Sequence, residues 1–381
     1  MMHQLLCILA LILHVHSGQS IQTAVDSART VYAERGERTT ILIEPGTYQE
    51  QLTIDVPGLR LKNASRHPSI ALRNGGVDCD PNAVRITWYY GHGYQYKSMD
   101  TINYGGSRSR RWNASVLVTA PDFYAENIIF ENSFNLYVSD REAQDSLYVL
   151  PEYTARPMPE RPKQAGSTAV QLKAYRERAA ALSFTETATH AHLKNCRAVG
   201  RQDVLYGDQG ASVYWQEGIL QGGVDFIFGA MTLAVDKALL IAAINGEKGD
   251  KCYIAAGRSE GTRGMLFYKC HIRLATEEEL QIINHKSQIT NTTPAVWLSR
   301  PWRSWGETVW AYTTWEEGIV HPEAWSTGLI QKRPEYDALN PCPNSYEYRS
   351  QGDIKNRPAW VKILSKPILP DGTHIRVSNW R

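Results

Sequence analysis

The 381-residue sequence predicts an all-β fold, a single-stranded parallel β-helix, because it carries an internal repeat, short strand-like runs and little helix. Residues 192–206 (HLKNCRAVGRQDVLY) align with residues 214–228 (YWQEGILQGGVDFIF) at an offset of 22. Each copy ends in Asp, two apolar residues and an aromatic residue. A repeat of about two dozen residues made of short strands is typical of a solenoid. Neither copy contains the leucine ladder of leucine-rich repeats.

The other segments favour the same class. Residues 19–35 place apolar residues at helical spacing, which predicts a short N-terminal helical cap. Downstream, runs rich in β-branched and aromatic residues recur between turn residues, as expected for strands. Residues 138–166 hold four prolines among charges and predict a long surface loop. We therefore expect one β-helix with long loops rather than several domains.

The N-terminus predicts a secretory leader. An apolar run from Leu5 to Leu13 is followed by small and polar residues, so residues 1–18 are interpreted as a signal peptide and residues 19–381 as the β-helix domain. The run is too short to span a bilayer. A buried N-terminal strand is the alternative for it. With the leader, we expect a secreted, extracellular protein.

The cysteines and glycosylation triplets are compatible with secretion. Loss of Cys7 with the leader leaves five cysteines, so at least one stays free or pairs between chains. Cys252 and Cys270 could face one another on adjacent coils. Three Asn-x-Ser/Thr triplets supply candidate glycosylation sites, at Asn63, Asn113 and Asn291.

Composition excludes several function classes. The 41 basic and 39 acidic residues give a net charge of +2, which offers no support for a nucleic-acid partner. No second long apolar run suggests a membrane partner, and no metal, nucleotide or flavin motif suggests a cofactor. We expect a monomer without cofactors. The 20 Tyr and 11 Trp residues suit a wet, sugar-binding groove, although they could equally fill a core.

The repeat also brings two aspartates together. Asp203 and Asp225 occupy equivalent positions on neighbouring strands, which lie about 4.8 Å apart. At that separation the pKa of one carboxyl rises while the other stays low, so the pair can supply a proton donor and a nucleophile at one pH. The alternative is that each aspartate bonds its own turn. Carboxyls about 5 Å apart also describe a retaining glycosidase, so geometry alone does not choose the reaction.

Seven motifs, in order between about residues 40 and 330, resemble those of the pectin methylesterases, or pectinesterases. Gln202–Tyr206 (QDVLY) resembles the family's QDTLY, Gly223–Gly229 (GVDFIFG) its GxVDFIFG, and Leu298–Trp302 (LSRPW) its LGRPW. The remaining four motifs are similar to further family segments, at residues 45–50 (PGTYQE), 122–132 (DFYAENIIFEN), 252–258 (CYIAAGR) and 321–325 (HPEAW).

The resemblance implies a right-handed parallel β-helix that hydrolyses C6 methyl esters of homogalacturonan, with methyl-esterified pectin as the partner. It implies that Asp225 attacks the ester carbonyl and that Asp203 acts as general acid and then as general base. Gln202 would donate to the oxyanion, and Arg300 would keep Asp225 ionised. The aromatic residues of the family's substrate groove match four positions, for which core packing is the alternative: Tyr206, Phe228, Trp302 and Trp325.

One departure concerns the second oxyanion donor. The family carries a Gln before an AVAL stretch on the coil that precedes Asp203. We align that stretch with Thr168–Leu172, so that Thr168 replaces the Gln. A catalytically silent pectin-binding relative is one alternative function, and another β-helix pectin-degrading enzyme is a second. His92 lies in a Gly-His-Gly element that polygalacturonases share, but it precedes the aspartates and is interpreted as a loop residue.

Overall fold

The fold is a parallel β-helix, as the sequence predicts. The computed structural model describes residues 11–99, 113–149, 160–245, 247, 249–280 and 295–381. Three parallel sheets of eleven, seven and eight strands run along the molecule, and between Thr39 and Trp315 the chain visits them in turn. Each strand therefore pairs with the strands of the coils before and after it.

The strand bounds follow this three-sheet arrangement. The first sheet consists of Leu11–Val15, Thr39–Ile43, Arg60–Asn63, Tyr124–Glu126, Ala191–Lys194, Ser212–Gln216, Thr232–Asp236, Met265–Tyr268, Thr308–Ala311, Ser345–Tyr348 and Lys362–Ile363. The second consists of Leu52–Ile54, Val116–Val118, Leu182–Phe184, Leu205–Gly207, Ile227–Gly229, Cys252–Gly257 and Val296–Ser299. The third consists of Gly46–Gln49, Val84–Trp88, Ile128–Asn132, Arg197–Val199, Ile219–Gly222, Leu239–Ala242, His271–Leu274 and Thr314–Trp315.

Helices and two small antiparallel ribbons lie mostly in the connections between the strands of the coils. The ribbons pair Tyr94–Tyr96 with Leu147–Val149 and Leu72–Arg73 with Asp78–Cys79. The α-helices are Ile21–Arg35, Asp140–Ala143 and Glu277–Leu280. The 3-10 helices are Asn74–Gly76, Ser133–Asn135, Ala169–Gln171, Gly328–Lys332, Ile354–Asn356 and Val377–Asn379. Among the residues described, no helix is both long and apolar enough to cross a membrane.

The strand register confirms the 22-residue repeat. Tyr206 pairs with Phe228 in the second sheet, and Ala198 pairs with Leu220 in the third. The turns repeat as well, since each coil bends at a residue with positive φ. One such turn directly follows the strands of the first sheet, and the residues that hold this position on successive coils are Asn127, Asn195, Glu217, Lys237, Lys269 and Tyr312. Inside the coils, like side chains stack, and the Phe267 and Trp310 rings lie 3.9 Å apart.

The N-terminal cap is held by a strand and a capped helix. Leu11–Val15 pairs with Thr39–Ile43 at the edge of the first sheet, so the alternative of an N-terminal strand describes part of the apolar run. The signal peptide stays a prediction. The helix Ile21–Arg35 confirms the predicted cap. Its N-cap Ser20 donates from Oγ to Glu50 (2.8 Å), and Glu50 also accepts from the first helical N–H groups.

Residues 138–166 are more ordered than the predicted surface loop. Val138 and Gly166 close the segment, because the Gly166 N–H donates to the Val138 carbonyl (2.8 Å). Inside it, Arg161 forms a buried ion pair with Glu142 (2.9 Å). Leu147–Val149 extends a ribbon. The prediction that the whole segment is a surface loop is therefore wrong, because these contacts bury parts of it. Residues 150–159 lie outside the described residues.

The described cysteines are all unpaired, so no disulfide joins Cys252 to Cys270. Cys252 is fully buried in the core, and its Sγ lies 3.8 Å from the Gly222 carbonyl oxygen. Burial raises the pKa of Cys270 to about 12. The coils are thus held by strand pairing and packing.

Gly229 marks a point where two coils approach too closely for a side chain. Its φ is +132°, and a Cβ there would lie 2.1 Å from the Gly207 carbonyl oxygen. We expect Gly229→Ala to lower the free energy of unfolding by about 2–6 kcal/mol, because backbone strain and overlap each cost about 1–3 kcal/mol. Gly261 is the control, with φ +68° and open space around it. Equal losses for both variants in denaturant titrations would contradict this reading.

Candidate active site

Two buried aspartates form the centre of the site. Asp203 and Asp225 lie on consecutive coils, just before paired strands of the second sheet. Gln202 forms a parallel bridge with Val224, and the Asp203 N–H donates to the Val224 carbonyl (3.3 Å). The structure thus brings the two predicted aspartates side by side. Both adopt positive φ, 54° and 46°, a strained conformation that often occurs at functional sites.

The two carboxyl groups differ in their electrostatic surroundings. Their residues are only 3% and 4% exposed. Burial raises the pKa of Asp203 well above its usual range, and the charge of Asp225 raises it further. Burial also raises the pKa of Asp225, but Arg300 opposes that rise by charge and hydrogen bonding. The predicted division therefore has a physical basis, although burial outweighs the lowering effect of Arg300 on Asp225.

Arg300 is clamped against Asp225. Its Nε and Nη2 donate to the two Asp225 carboxylate oxygens at 3.1 and 2.5 Å. The Tyr253 ring lies 3.9 Å from the guanidinium carbon on one side. Gly328 lies against the side-chain stem, where a Cβ would come within 2.3 Å of the Arg300 Cδ. These contacts fix the guanidinium and so aim the carboxylate of Asp225.

Three predicted aromatic residues lie together beside the aspartates. Tyr206 and Phe228 stack with ring centres 5.6 Å apart, and Trp302 meets Phe228 edge-on at 5.4 Å. Tyr206 and Phe228 are nearly buried, whereas Trp302 is half-buried. The Tyr206 hydroxyl donates to Asp208 and accepts from Arg258. We name Tyr206, Phe228 and Trp302 the aromatic cluster.

Trp325 does not belong to that cluster, so its assignment to the groove is wrong. The residue is fully buried within the main hydrophobic core. Its indole Nε1 donates to Glu347, and its ring meets Trp360 edge-on. Trp325 forms a parallel β-bridge with Ser299, the last residue of the second sheet's final strand. Its side chain points into the interior of the coil. The alternative of core packing is therefore correct for Trp325.

Thr168 does not occupy the coil position predicted for it. Residues 169–171 form a 3-10 helix, not a strand. The segment that pairs with the Asp203 coil is Ala179–Leu182, since the Ala179 N–H donates to Gln202 and the Ala181 N–H to Val204. Both alanines are fully buried, as an inner strand requires, whereas Leu172 is 43% exposed. Arg178 precedes this segment and therefore holds the position assigned to Thr168.

Sequence reasoning missed two neighbours of the pair. Arg201, next to Gln202, is buried and bonds Asp250 (2.6 Å), which Arg176 also contacts (2.9 Å). No motif pointed to this ion cluster. Arg178 was missed because the letters of Thr168–Leu172 resembled the expected stretch more closely. Gln202 itself is half-buried at the site.

Other candidate positions lie away from the pair. His92 lies in a turn, as predicted, and burial lowers its pKa to about 3. Asn63 and Asn113 are buried and their amide nitrogens donate to carbonyls of Asn82 and Gly91, which argues against glycans there. Asn291 lies outside the described residues. Within the described ranges, no group of three or more His, Cys, Asp or Glu residues could hold a metal ion.

Comparisons with known proteins point to one family. The family model described as Pectinesterase matches residues 166–340. Putative pectinesterase 63 of Arabidopsis thaliana is 25% identical over 308 residues, which cover 80% of this chain and 66% of the relative. A second Arabidopsis thaliana relative, probable pectinesterase 8, is 26% identical over 81% of this chain and 59% of its own length. The chain thus spans less than two thirds of the length of these curated relatives.

A solved structure supports the fold. The pectin methylesterase from carrot has a TM-score of 0.61 and 18% identity, and the match covers 94% of this chain and 88% of that one. It shares the parallel β-helix with the present chain.

The two tryptophans give opposite expectations. Trp325→Ala should lower the free energy of unfolding by about 3–5 kcal/mol, the usual cost of emptying a buried aromatic site. Trp302→Ala should cost about 1 kcal/mol, because the Trp302 side chain is only partly buried. If the aromatic cluster lines the sugar groove that the sequence resemblance implies, Trp302→Ala should instead weaken binding of a methyl-esterified oligogalacturonate. Denaturant titration and calorimetry measure the two effects, and a Trp302 variant with unchanged binding would contradict the groove assignment.

Proposed function

We propose that this chain, whose residues 166–340 match the family model described as Pectinesterase, hydrolyses the C6 methyl esters of homogalacturonan to carboxylate and methanol. The observation that carries the proposal is the pair of buried carboxyl groups of Asp203 and Asp225. Their surroundings affect the two pKa values differently, because Arg300 is bound to Asp225. Such a pair offers an acid and a nucleophile at the same pH.

The first half of the reaction forms an acyl-enzyme. A carboxylate oxygen of Asp225, aimed by Arg300, attacks the C6 carbonyl carbon, and the carbonyl electron pair moves onto oxygen. Gln202 donates a hydrogen bond to that oxyanion. As the oxyanion collapses, the bond to the methoxy group breaks, and the proton of Asp203 transfers to the departing oxygen. Methanol leaves, and the C6 carbonyl stays bound to Asp225 as an anhydride.

The second half restores the enzyme. Asp203, now ionised, accepts a proton from a water molecule as the water oxygen attacks the C6 carbon. The bond to Asp225 breaks, and its carboxylate returns to the Arg300 guanidinium. The product is the C6 carboxylic acid, which releases its remaining proton to the solvent and leaves as a carboxylate. The cycle ends with Asp203 protonated and Asp225 ionised, as at the start.

The aromatic cluster is where the sugar chain would pack, because flat rings complement sugar faces. The alternative is a catalytically silent pectin-binding relative. The intact ion pair between Arg300 and Asp225 favours the enzyme, since a binding module has no need to bury two carboxyl groups at a cost of several kcal/mol each. We also propose that pectin is bound by a monomer without a cofactor.

Export of the protein is a further part of the proposal. A leader that ends at residue 18 would remove Leu11–Val15 and leave Thr39–Ile43 as the sheet edge. N-terminal sequencing of protein recovered from culture medium would locate the mature start. A protein that stays inside the expressing cells would contradict secretion.

Methanol release from methylated pectin tests the enzyme directly. Asp225→Asn and Asp203→Asn should each lower the rate by about 10⁴-fold, because each removes a group that the chemistry cannot replace. Asp236→Asn is the matched control, since Asp236 lies on an outer face and accepts from the Tyr214 hydroxyl, which an amide can also do. New reducing ends would indicate a hydrolase of the backbone, and unsaturated products a lyase. Pectin binding without methanol release would indicate the silent relative.

The pH profile tests the role of Arg300. Asp225 must be ionised to attack, so the rate rises as the pH passes its pKa. Arg300→Gln removes the cation that lowers this pKa. The rising limb of the kcat profile should therefore move to higher pH, together with a loss of rate at all pH values. A limb that does not move would indicate that Arg300 acts only on the orientation of Asp225.

A further inference from the structure

Three parallel chain segments meet at the aspartate pair. Residues 179–182, 202–205 and 224–227 lie side by side on consecutive coils. Asp203 belongs to the middle segment and Asp225 precedes the strand of the last one. Arg178 immediately precedes the first segment and thus lies on the coil next to Asp203, on the side away from Asp225.

The side chain of Arg178 is held at this position by its neighbour. Its backbone N–H and its Nε both donate to the same Glu177 carboxylate oxygen, at 2.9 Å each. Its carbonyl accepts from the His92 N–H (2.8 Å). The Arg178 side chain is 29% exposed and that of Glu177 13%. The guanidinium therefore lies at the boundary between the protein and the solvent, with its Nε bound to Glu177.

Charged groups on other coils of the β-helix influence the pKa of Asp203. Burial is the largest influence on its pKa and raises it, and the charge of Asp225 adds to that rise. Arg178 lowers this pKa, Glu177 raises it, and Arg300 lowers it by a smaller amount. The cation that acts on Asp225 is Arg300, by its charge and its hydrogen bonds. Each of the two carboxyl groups is thus influenced by a different arginine, Asp203 by Arg178 and Asp225 by Arg300.

We propose that Arg178 is a further substrate-binding residue, whose guanidinium donates hydrogen bonds to the C6 oxygen atoms of the galacturonate residue at the aspartate pair. This proposal rests on the proposed function for the identity of the sugar. Negative charge develops on a C6 oxygen during the attack, and a full carboxylate remains after hydrolysis. A planar guanidinium matches both, since it is permanently charged and can donate two parallel hydrogen bonds.

A cation at this position has a consequence that a neutral amide would not have. The ester substrate carries no charge at C6, whereas the product carries one. Arg178 should therefore hold the demethylated product more tightly than a Gln would, and the product should inhibit the enzyme. Glu177 limits the effect, because it already shares the cation.

Titration calorimetry with fully demethylated hexagalacturonate tests the binding role, because this probe does not react. Arg178→Gln should weaken binding by about 10-fold or more, the usual loss for a hydrogen bond to a charged group. Arg178→Lys keeps the charge but loses the paired donors, so an intermediate loss is expected. Arg273→Gln is the control: Arg273 is 23% exposed and pairs with Glu279, but it lies on the third sheet. Its variant should bind as the wild type does.

The pH profile of methanol release supplies a second readout. Asp203 must be protonated to release methanol, so the rate falls as the pH passes its pKa. Arg178→Gln removes a positive charge and should move the falling limb to higher pH. Glu177→Gln removes a negative charge and should move it to lower pH. Opposite shifts in folded variants, verified by thermal unfolding, are not expected from loss of packing alone.

The outcomes separate this proposal from the function on which it rests. Unchanged hexagalacturonate affinity in folded Arg178→Gln and Arg178→Lys overturns the role of Arg178, even if the wild type releases methanol normally. Wild-type protein that releases no methanol overturns the esterase. An affinity that still depends on Arg178 would then support carboxylate binding by a silent relative. If only Arg178→Lys folds, an affinity equal to that of the wild type counts against the proposal.

Discussion

The site depends on the register between consecutive coils. Leu205 pairs with Ile227 and Gln202 bridges Val224, so residues 22 positions apart are neighbours in space. This pairing brings Asp203 beside Asp225 without a loop or a hinge. The backbone ladder continues in both directions, and shifting one coil against the next would break hydrogen bonds along all three sheets. The distance between the two carboxyl groups is therefore as fixed as the sheet itself.

Charge compensation is the second constraint on the site. Two neighbouring carboxyl groups that are almost fully buried would not both stay ionised. Each carboxyl group has an arginine nearby: Arg300 is bound to Asp225, and the charge of Arg178 lowers the pKa of Asp203. The two arginines are restrained in different ways. Arg300 is packed between Tyr253 and Gly328, whereas Arg178 is tied to a partly exposed glutamate. The first arrangement fixes the Asp225 carboxylate, and the second leaves a cation near the solvent.

Much of the fold and the centre of the site could be predicted from the sequence. The repeat encodes its own register, so the pairing of Asp203 with Asp225 follows from one alignment. The positions of Thr168 and Trp325 could not be found in this way, because a motif match does not show whether a side chain points into the coil or out of it. Gln171 and the exposed Leu172 make a poor inner strand, whereas Ala179–Leu182 fits one because small apolar side chains fill the narrow interior. Trp325 lies on a segment that pairs beside the site, yet its side chain points inward. Only the alternation of faces along each coil distinguishes the two directions.

The stacking of coils also restricts how such a chain can change in length. A solenoid can grow by adding coils at either end, because each coil contacts only its neighbours. A coil inserted between Asp203 and Asp225 would separate them by a further strand spacing, about 4.8 Å. The resulting gap of about 10 Å would leave Asp203 out of reach of a group bound at Asp225. Insertions in loops and additions at the ends leave this spacing unchanged, so the coil between Asp203 and Asp225 should be the stretch whose number of strands varies least among related chains.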